Sequence, residues 1–244
     1  MSGGQDGRNA ALAPHQDIAL VDLAAVRQAT YRLFAHSLLY PDGERLRALA
    51  AAARELEHAD PVWEAFAFHS DWCSFLHCLE ELPLRDLPAL QNEYVTNFLA
   101  RTGELPCPIW ESAYLAGDPS AAGLVLAQLE REYAQAGLAP SPSLRAGPDH
   151  AAVELEFMSF LCGQEVGAWN KRDAGQALLL CRGQRAFLRH HLQGWFPQLS
   201  RRVACAMAAS AYAPVTRAAT AFVVHDSDLL DALVDLLESP GDAG

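Results

Sequence analysis

Apolar residues recur along this chain at spacings of three and four, the period of a helix that buries one face. Leu23, Val26, Thr30, Leu33, Phe34, Ser37 and Leu38 share such a face after Asp22, which is placed to act as an N-cap. Tyr40-Pro41-Asp42-Gly43 ends that helix. Alanine-rich helices are predicted over 44–58 and 62–81, the second opening on Asp60-Pro61, because proline needs no N–H at the first helical position. A break at 82–88 precedes a shorter helix over 88–100, and Arg101 to Pro108, with two prolines and a glycine, cannot continue it. Asp118-Pro119-Ser120 restarts a helix that stops at Gly137.

From Leu138 to Pro148 the chain is Pro-, Ser- and Gly-rich with almost no periodic apolar residue, which predicts a hinge. Beyond it Asp149 is placed to cap a helix to Asn170, followed by helices over 173–193, 195–210 and 226–238. Gly194, Tyr212-Ala-Pro214 and His225-Asp226 serve as the punctuation between them. No segment alternates with period two, and no repeat of fixed length occurs. The expected fold is therefore all-α, a bundle of about ten helices. Its lobes are 18–137 and 149–238, joined by the hinge at 138–148, with disordered tails at 1–17 and 239–244.

Composition narrows the class. The 244 residues are 51% hydrophobic and 20% charged, mean hydropathy is near zero, and no apolar run approaches the about 18 residues of a membrane span. Lys and Arg total 18 against 30 Asp and Glu, a net charge of −12. Phosphate backbones and anionic lipid repel such a chain, so nucleic acid and stable membrane association are not expected and a cationic or neutral partner fits better. The first ten residues lack the basic and apolar regions of a secretory signal, which predicts a cytoplasmic protein. The six cysteines, scattered through apolar stretches, then read as thiols, most of them small core residues.

The common catalytic motifs are missing: there is no G-x-x-x-x-G-K, G-x-G-x-x-G, G-x-S-x-G or H-E-x-x-H. Glu55 and His58 supply one Glu-x-x-His spacing where a di-iron bundle needs two. His69, Cys73 and His77 stack on successive helical turns, but eight residues rise about 12 Å, too far for all three to meet one ion. Adjacent His190 and His191 point to different faces and read as surface residues. Asp149, His150 and Glu154 admit two readings. They suit acid–base work in a helical-bundle enzyme, or a helix cap followed by a histidine that bonds across the hinge. A helical ligand-binding regulator is a third class, for which Arg27, Arg32, Arg45, Arg47 and Arg54 are the basic residues but no recognition helix is apparent.

Pro106-Cys-Pro-Ile-Trp-Glu-Ser-Ala-Tyr114 stands apart, a proline-fixed turn that delivers Trp110 and Tyr114 four residues apart with Glu111 and Ser112 between them. Aromatics on an irregular loop suit a groove for a flexible ligand. With Asn92-Glu-Tyr-Val-Thr-Asn-Phe98 before it, and Pro148-Asp149-His150 running into Glu154-Leu-Glu-Phe-Met-Ser-Phe-Leu161 and Glu165 after it, the chain resembles the TorD/DmsD/NarJ redox-enzyme maturation chaperones. The wording is most similar to chaperones of type II dimethyl-sulfoxide-reductase-like molybdoenzymes. The resemblance implies a noncatalytic protein without a cofactor of its own, which binds the twin-arginine-type leader of a molybdopterin-type oxidoreductase catalytic subunit and holds the apoenzyme for cofactor insertion. By position it implies a peptide-binding set of Tyr94, Phe98, Trp110, Glu111, Ser112, Tyr114, Asp149, His150 and Glu154, with Glu154 or Glu156 opposite a leader arginine. The long hinge allows a monomer or a lobe-swapped dimer.

Overall fold

A computed structural model describes residues 14–57, 68–99, 105–115, 119–139 and 147–239. Nine α-helices run through the described residues. They are α1 (Pro14–Ser37), α2 (Gly43–Glu57), α3 (His69–Glu81), α4 (Leu87–Tyr94), α5 (Pro119–Gln135), α6 (Ala151–Asn170), α7 (Ala174–His190), α8 (Leu192–Ala206) and α9 (Tyr212–Glu238). The only strand-like pairing among the described residues is one antiparallel bridge, Trp110 with His150. The all-α class expected from the periodicity is what the chain adopts. The Asp60-Pro61 cap, His58, Asp118, most of the 138–148 linker and the tails at 1–13 and 240–244 lie outside the described residues.

At the centre lies α6, most of whose residues are buried, including the polar Glu154, Ser159 and Glu165, with Glu156 and Gln164 among the few that reach solvent. Its most extensive neighbour is α1, and α7 also packs on it; α9 packs on α7, α8 and α3, and α2 packs on α1 and α3. Phe34, Phe75 and Phe222 bring α1, α3 and α9 together in one aromatic cluster, with Phe34 and Phe75 centroids 4.7 Å apart. Residues from before and after the 138–148 linker share this one continuous core.

Several boundaries differ from expectation: residues 14–17, expected in the N-terminal tail, begin α1, and Gly194, expected between helices over 173–193 and 195–210, lies inside α8, the break falling at His191 instead. Asp22 lies inside α1 on its exposed face, because the helix begins eight residues earlier, so it caps nothing. The cap of α6 is His150 and not Asp149: the His150 Nδ1 accepts from the Ala152 N–H at 3.1 Å. The last helix starts at Tyr212 and not near Asp226. Pro214 falls in its first turn, where backbone N–H groups have no intrahelical acceptor anyway, and His225-Asp226 is interior. Asp226 turns inward to an arginine, so what reads as polar punctuation is a buried ion pair.

Candidate functional site

The segment 105–115 crosses the molecule between α5, α6 and α8. Cys107 and Ile109 anchor it, both fully buried, and Pro106 and Pro108 restrict its backbone. The Cys107 N–H donates to the Asn97 carbonyl at 3.2 Å. Two hydrogen bonds clip the segment to the start of α6: Glu111 N–H to the Asp149 carbonyl at 2.9 Å, and Ala151 N–H to the Ile109 carbonyl at 3.0 Å. Residues 111–114 then form a 3-10 turn.

Asp149 secures that turn. Its Oδ2 accepts from both the Ser112 N–H, at 3.2 Å, and the Ser112 hydroxyl. The neighbouring His150 is buried against the edge of Trp110, with ring centroids 5.8 Å apart, and burial lowers its pKa to about 4. Neutral, it keeps Nδ1 free to cap α6. The Tyr114 hydroxyl donates to the Pro108 carbonyl at 2.7 Å, its ring meets Trp195 at 5.4 Å, and the Arg202 guanidinium lies 5.5 Å above its other contact surface.

Behind this turn lies a compact set of acids. The Glu111 carboxylate, 4% exposed, meets His191 Nδ1 at 2.8 Å, and His191 Nε2 is 3.6 Å from Glu132 Oε1. Burial opposes a charge on His191, but the hydrogen bond to Glu111 and the nearby Glu132 carboxylate, an ion-pair contact too long for a hydrogen bond, outweigh it and raise the ring to about 9. Glu154, wholly buried, accepts from the Trp195 indole N–H at 3.1 Å. Burial, reinforced by the Glu111 charge, pushes its carboxyl well above the usual range and disfavours its ionised form.

Of the expected peptide-binding residues, the structure leaves Trp110, Ser112 and Tyr114 partly exposed. Glu111, Asp149, His150 and Glu154 lie directly beneath, as supports. Tyr94 and Phe98 sit apart in the core: they stack with each other at 5.1 Å and with Tyr212, and the Tyr94 hydroxyl donates to the Leu38 carbonyl. Aromatics at that depth serve packing, which corrects their inclusion in a binding surface. An acid–base role for Asp149, His150 and Glu154 needs access to a substrate, yet these residues are 3, 4 and 0% exposed. A cavity of about 890 Å³ between α1 and α2, lined by Ala25, Arg32, His36, Ala48 and Leu56, contains none of the expected site residues.

Two groups escaped the sequence reading. His191 is 1% exposed and not a surface residue. The signal was present, since Ala177, Cys181, Gln184 and Leu188 form a buried stripe at spacings of three and four that runs on to position 191. The second group surrounds Arg27. Its guanidinium, wholly buried, reaches Glu165 at 2.7 Å, Asp226 and Gln184; the Tyr31 hydroxyl donates to Asp226 at 2.6 Å, and the Trp169 indole to Glu165 at 3.1 Å. Arg27 is thus unavailable for the nucleic-acid contacts a regulator would need. Elsewhere, His69 Nε2 and Cys73 Sγ touch at 3.4 Å on the exposed side of α3, while His77 pairs with Glu81. No group of three or more metal-ligating side chains occurs among the described residues. No described helix is long and apolar enough to cross a membrane.

A family model described as "Nitrate reductase delta subunit" matches residues 46–201, well over half of the chain and all of the site above. The selenate reductase assembly chaperone protein of Thauera selenatis is 39% identical over 79 residues, 32% of this chain and 40% of that protein. The chaperone protein TorD of Vibrio cholerae serotype O1 is 30% identical over 109 residues, 44% of this chain and 48% of that protein. The chlorate reductase assembly chaperone protein of Ideonella dechloratans is 41% identical over 59 residues, 24% of this chain and 30% of its own length. The matches thus span less than half the length of each of these curated relatives. Among solved structures, a putative redox enzyme maturation protein from Archaeoglobus fulgidus aligns over 84% of this chain and 93% of its own, with 22% identity and a TM-score of 0.49.

Proposed function

The chain belongs to the nitrate reductase delta subunit family, which includes the TorD and NarJ chaperones, and from that premise we propose that it is a noncatalytic, system-specific maturation chaperone in the cytoplasm. Its client is a molybdopterin-type oxidoreductase catalytic subunit, bound at its twin-arginine-type leader and held until the cofactor is inserted. The observation that carries this reading is the surface of Trp110, Ser112 and Tyr114, an aromatic platform on a rigid segment whose supports are buried and bonded. A platform of that kind accepts the apolar stretch of a leader, and a net charge of −12 favours its cationic end. Of the two acids expected opposite a leader arginine, Glu156 lies at the surface, 3.2 Å from His36, whereas Glu154 is buried.

The test is recovery of the client. The tagged chain is purified gently from its native host under conditions that induce anaerobic or alternative respiration, and its companions are identified by mass spectrometry. One large molybdopterin-type subunit with its leader intact is the expected result. Recovery of a bound metal or small molecule and no such subunit would overturn the proposal.

A further inference from the structure

His191 occupies the joint between α7 and α8 and touches three other parts of the molecule. Its Nδ1 faces Glu111 of the 3-10 turn, its Nε2 faces Glu132 of α5, and its ring packs on Phe187 at 4.8 Å. With Glu111 hydrogen-bonded to Nδ1 and the Glu132 carboxylate 3.6 Å from Nε2, beyond hydrogen-bond distance, the ring is favoured as imidazolium, because a neutral ring that donates to Glu111 turns a lone pair toward Glu132. We propose that His191 is the positioning residue of the 105–115 segment: as a buried cation it draws Glu111 and Glu132 together and so holds the Trp110–Tyr114 platform against α5 and α8. The inference rests on the proposed function only for what the platform binds; the latch itself is a property of the chain alone.

The acids facing this ring are Glu111 from the segment and Glu132 from α5; Glu154 of α6 interacts in turn with Glu111 and Asp149, and His190 of α7 with Glu132. Burial disfavours a charge on Glu154 and holds the His150 ring at about 4, so His191 is the cation that faces Glu111 and Glu132. The His191 ring has a folded pKa of about 9 against an unfolded value of 6.5. The latch is therefore fully engaged below about pH 6.5 and released as pH rises through about 9.

Cysteine labelling reads this directly. Cys107 lies in the segment and is fully buried, and Cys162 is fully buried in α6 away from it. Iodoacetamide labelling of the full chain is followed by mass spectrometry, with Cys107 and Cys162 each expressed relative to the same cysteine in urea-unfolded chain at the same pH, which cancels the ionisation of the accessible thiol. In wild type the Cys107 ratio is expected to rise at least tenfold between pH 7 and pH 9.5 while Cys162 stays protected. In His191→Gln it should be high at pH 7 and nearly independent of pH. Cys107 as protected as Cys162 under all these conditions overturns the proposal, and so does labelling of both together, which reports global unfolding and not a local latch. If the variant does not fold, the wild-type pH series alone decides between these outcomes. No client is needed, so a segment that loosens without loss of affinity for a synthetic twin-arginine leader peptide supports the latch and removes the platform as the leader site.

Discussion

Asp149 does two things at once, and their separation is an experiment. Its carbonyl completes the bridge to Glu111, a backbone contact that any residue can make, while its carboxylate takes both donors of Ser112. Asp149→Ala therefore keeps the bridge and strands a hydroxyl and an N–H in a partly buried turn, at a cost of about 1–3 kcal/mol. The expected outcome is a lower denaturant midpoint with unchanged helical circular dichroism. Binding of a synthetic twin-arginine leader peptide should weaken roughly tenfold as the 3-10 turn loses its anchor; equal affinity in the folded variant counts against the platform. At this scale the sequence was most informative where short-range wording sufficed. Trp110, Ser112 and Tyr114 fall within five residues of the chain and all three remain partly exposed. The burial of His191 was legible in the stripe that leads to it, but its partner Glu111 lies 80 residues away and those of Arg27 lie 138 to 199 residues away, and no local pattern encodes a contact at that distance.

Helices were legible where a stop has a local cause. Gly137 ends α5 in the left-handed region, with φ of 79°, and the Leu138 N–H returns to the Tyr133 carbonyl at 2.9 Å. A Cβ at this glycine meets nothing within 4 Å, so Gly137→Ala has no steric cost beyond the backbone. Its expected destabilisation is that of one residue held left-handed, about 1–2 kcal/mol, readable as a shift in thermal midpoint without loss of solubility. Insensitivity to the substitution would show that α5 ends otherwise. Boundaries went astray where polar residues faced inward. Asp226 looked like a break in α9 because a carboxylate in the middle of an apolar stripe normally marks solvent, and only the arriving Arg27 makes that position buried. Likewise Pro214 reads as a stop until it falls in a first turn, where it forfeits no hydrogen bond.

Across the whole molecule, the Arg27 network ties together the two halves that the composition of 138–148 separates. Arg27 comes from α1, and its partners Glu165, Gln184 and Asp226 come from α6, α7 and α9. These helices already share an apolar core, so the network is not what brings them together; it fixes how α1 sits on α6. Removing one side of such a network is costly because the other side stays buried. Arg27→Met leaves Glu165 and Asp226 facing each other without a cation, and the expected loss is about 3–5 kcal/mol, enough to bring a protein of ordinary stability close to unfolding at 37 °C. Replacing all three groups together, Arg27→Met with Glu165→Leu and Asp226→Leu, removes the uncompensated charge along with the pair. That triple variant should recover most of the lost stability, because apolar side chains of similar volume satisfy the site without desolvated charge. Urea denaturation of wild type, single and triple variants makes the comparison. A triple variant no more stable than Arg27→Met alone would mean that the network supplies net stabilisation through its hydrogen bonds to Tyr31, Gln184 and Trp169, and not merely the register of α1 on α6.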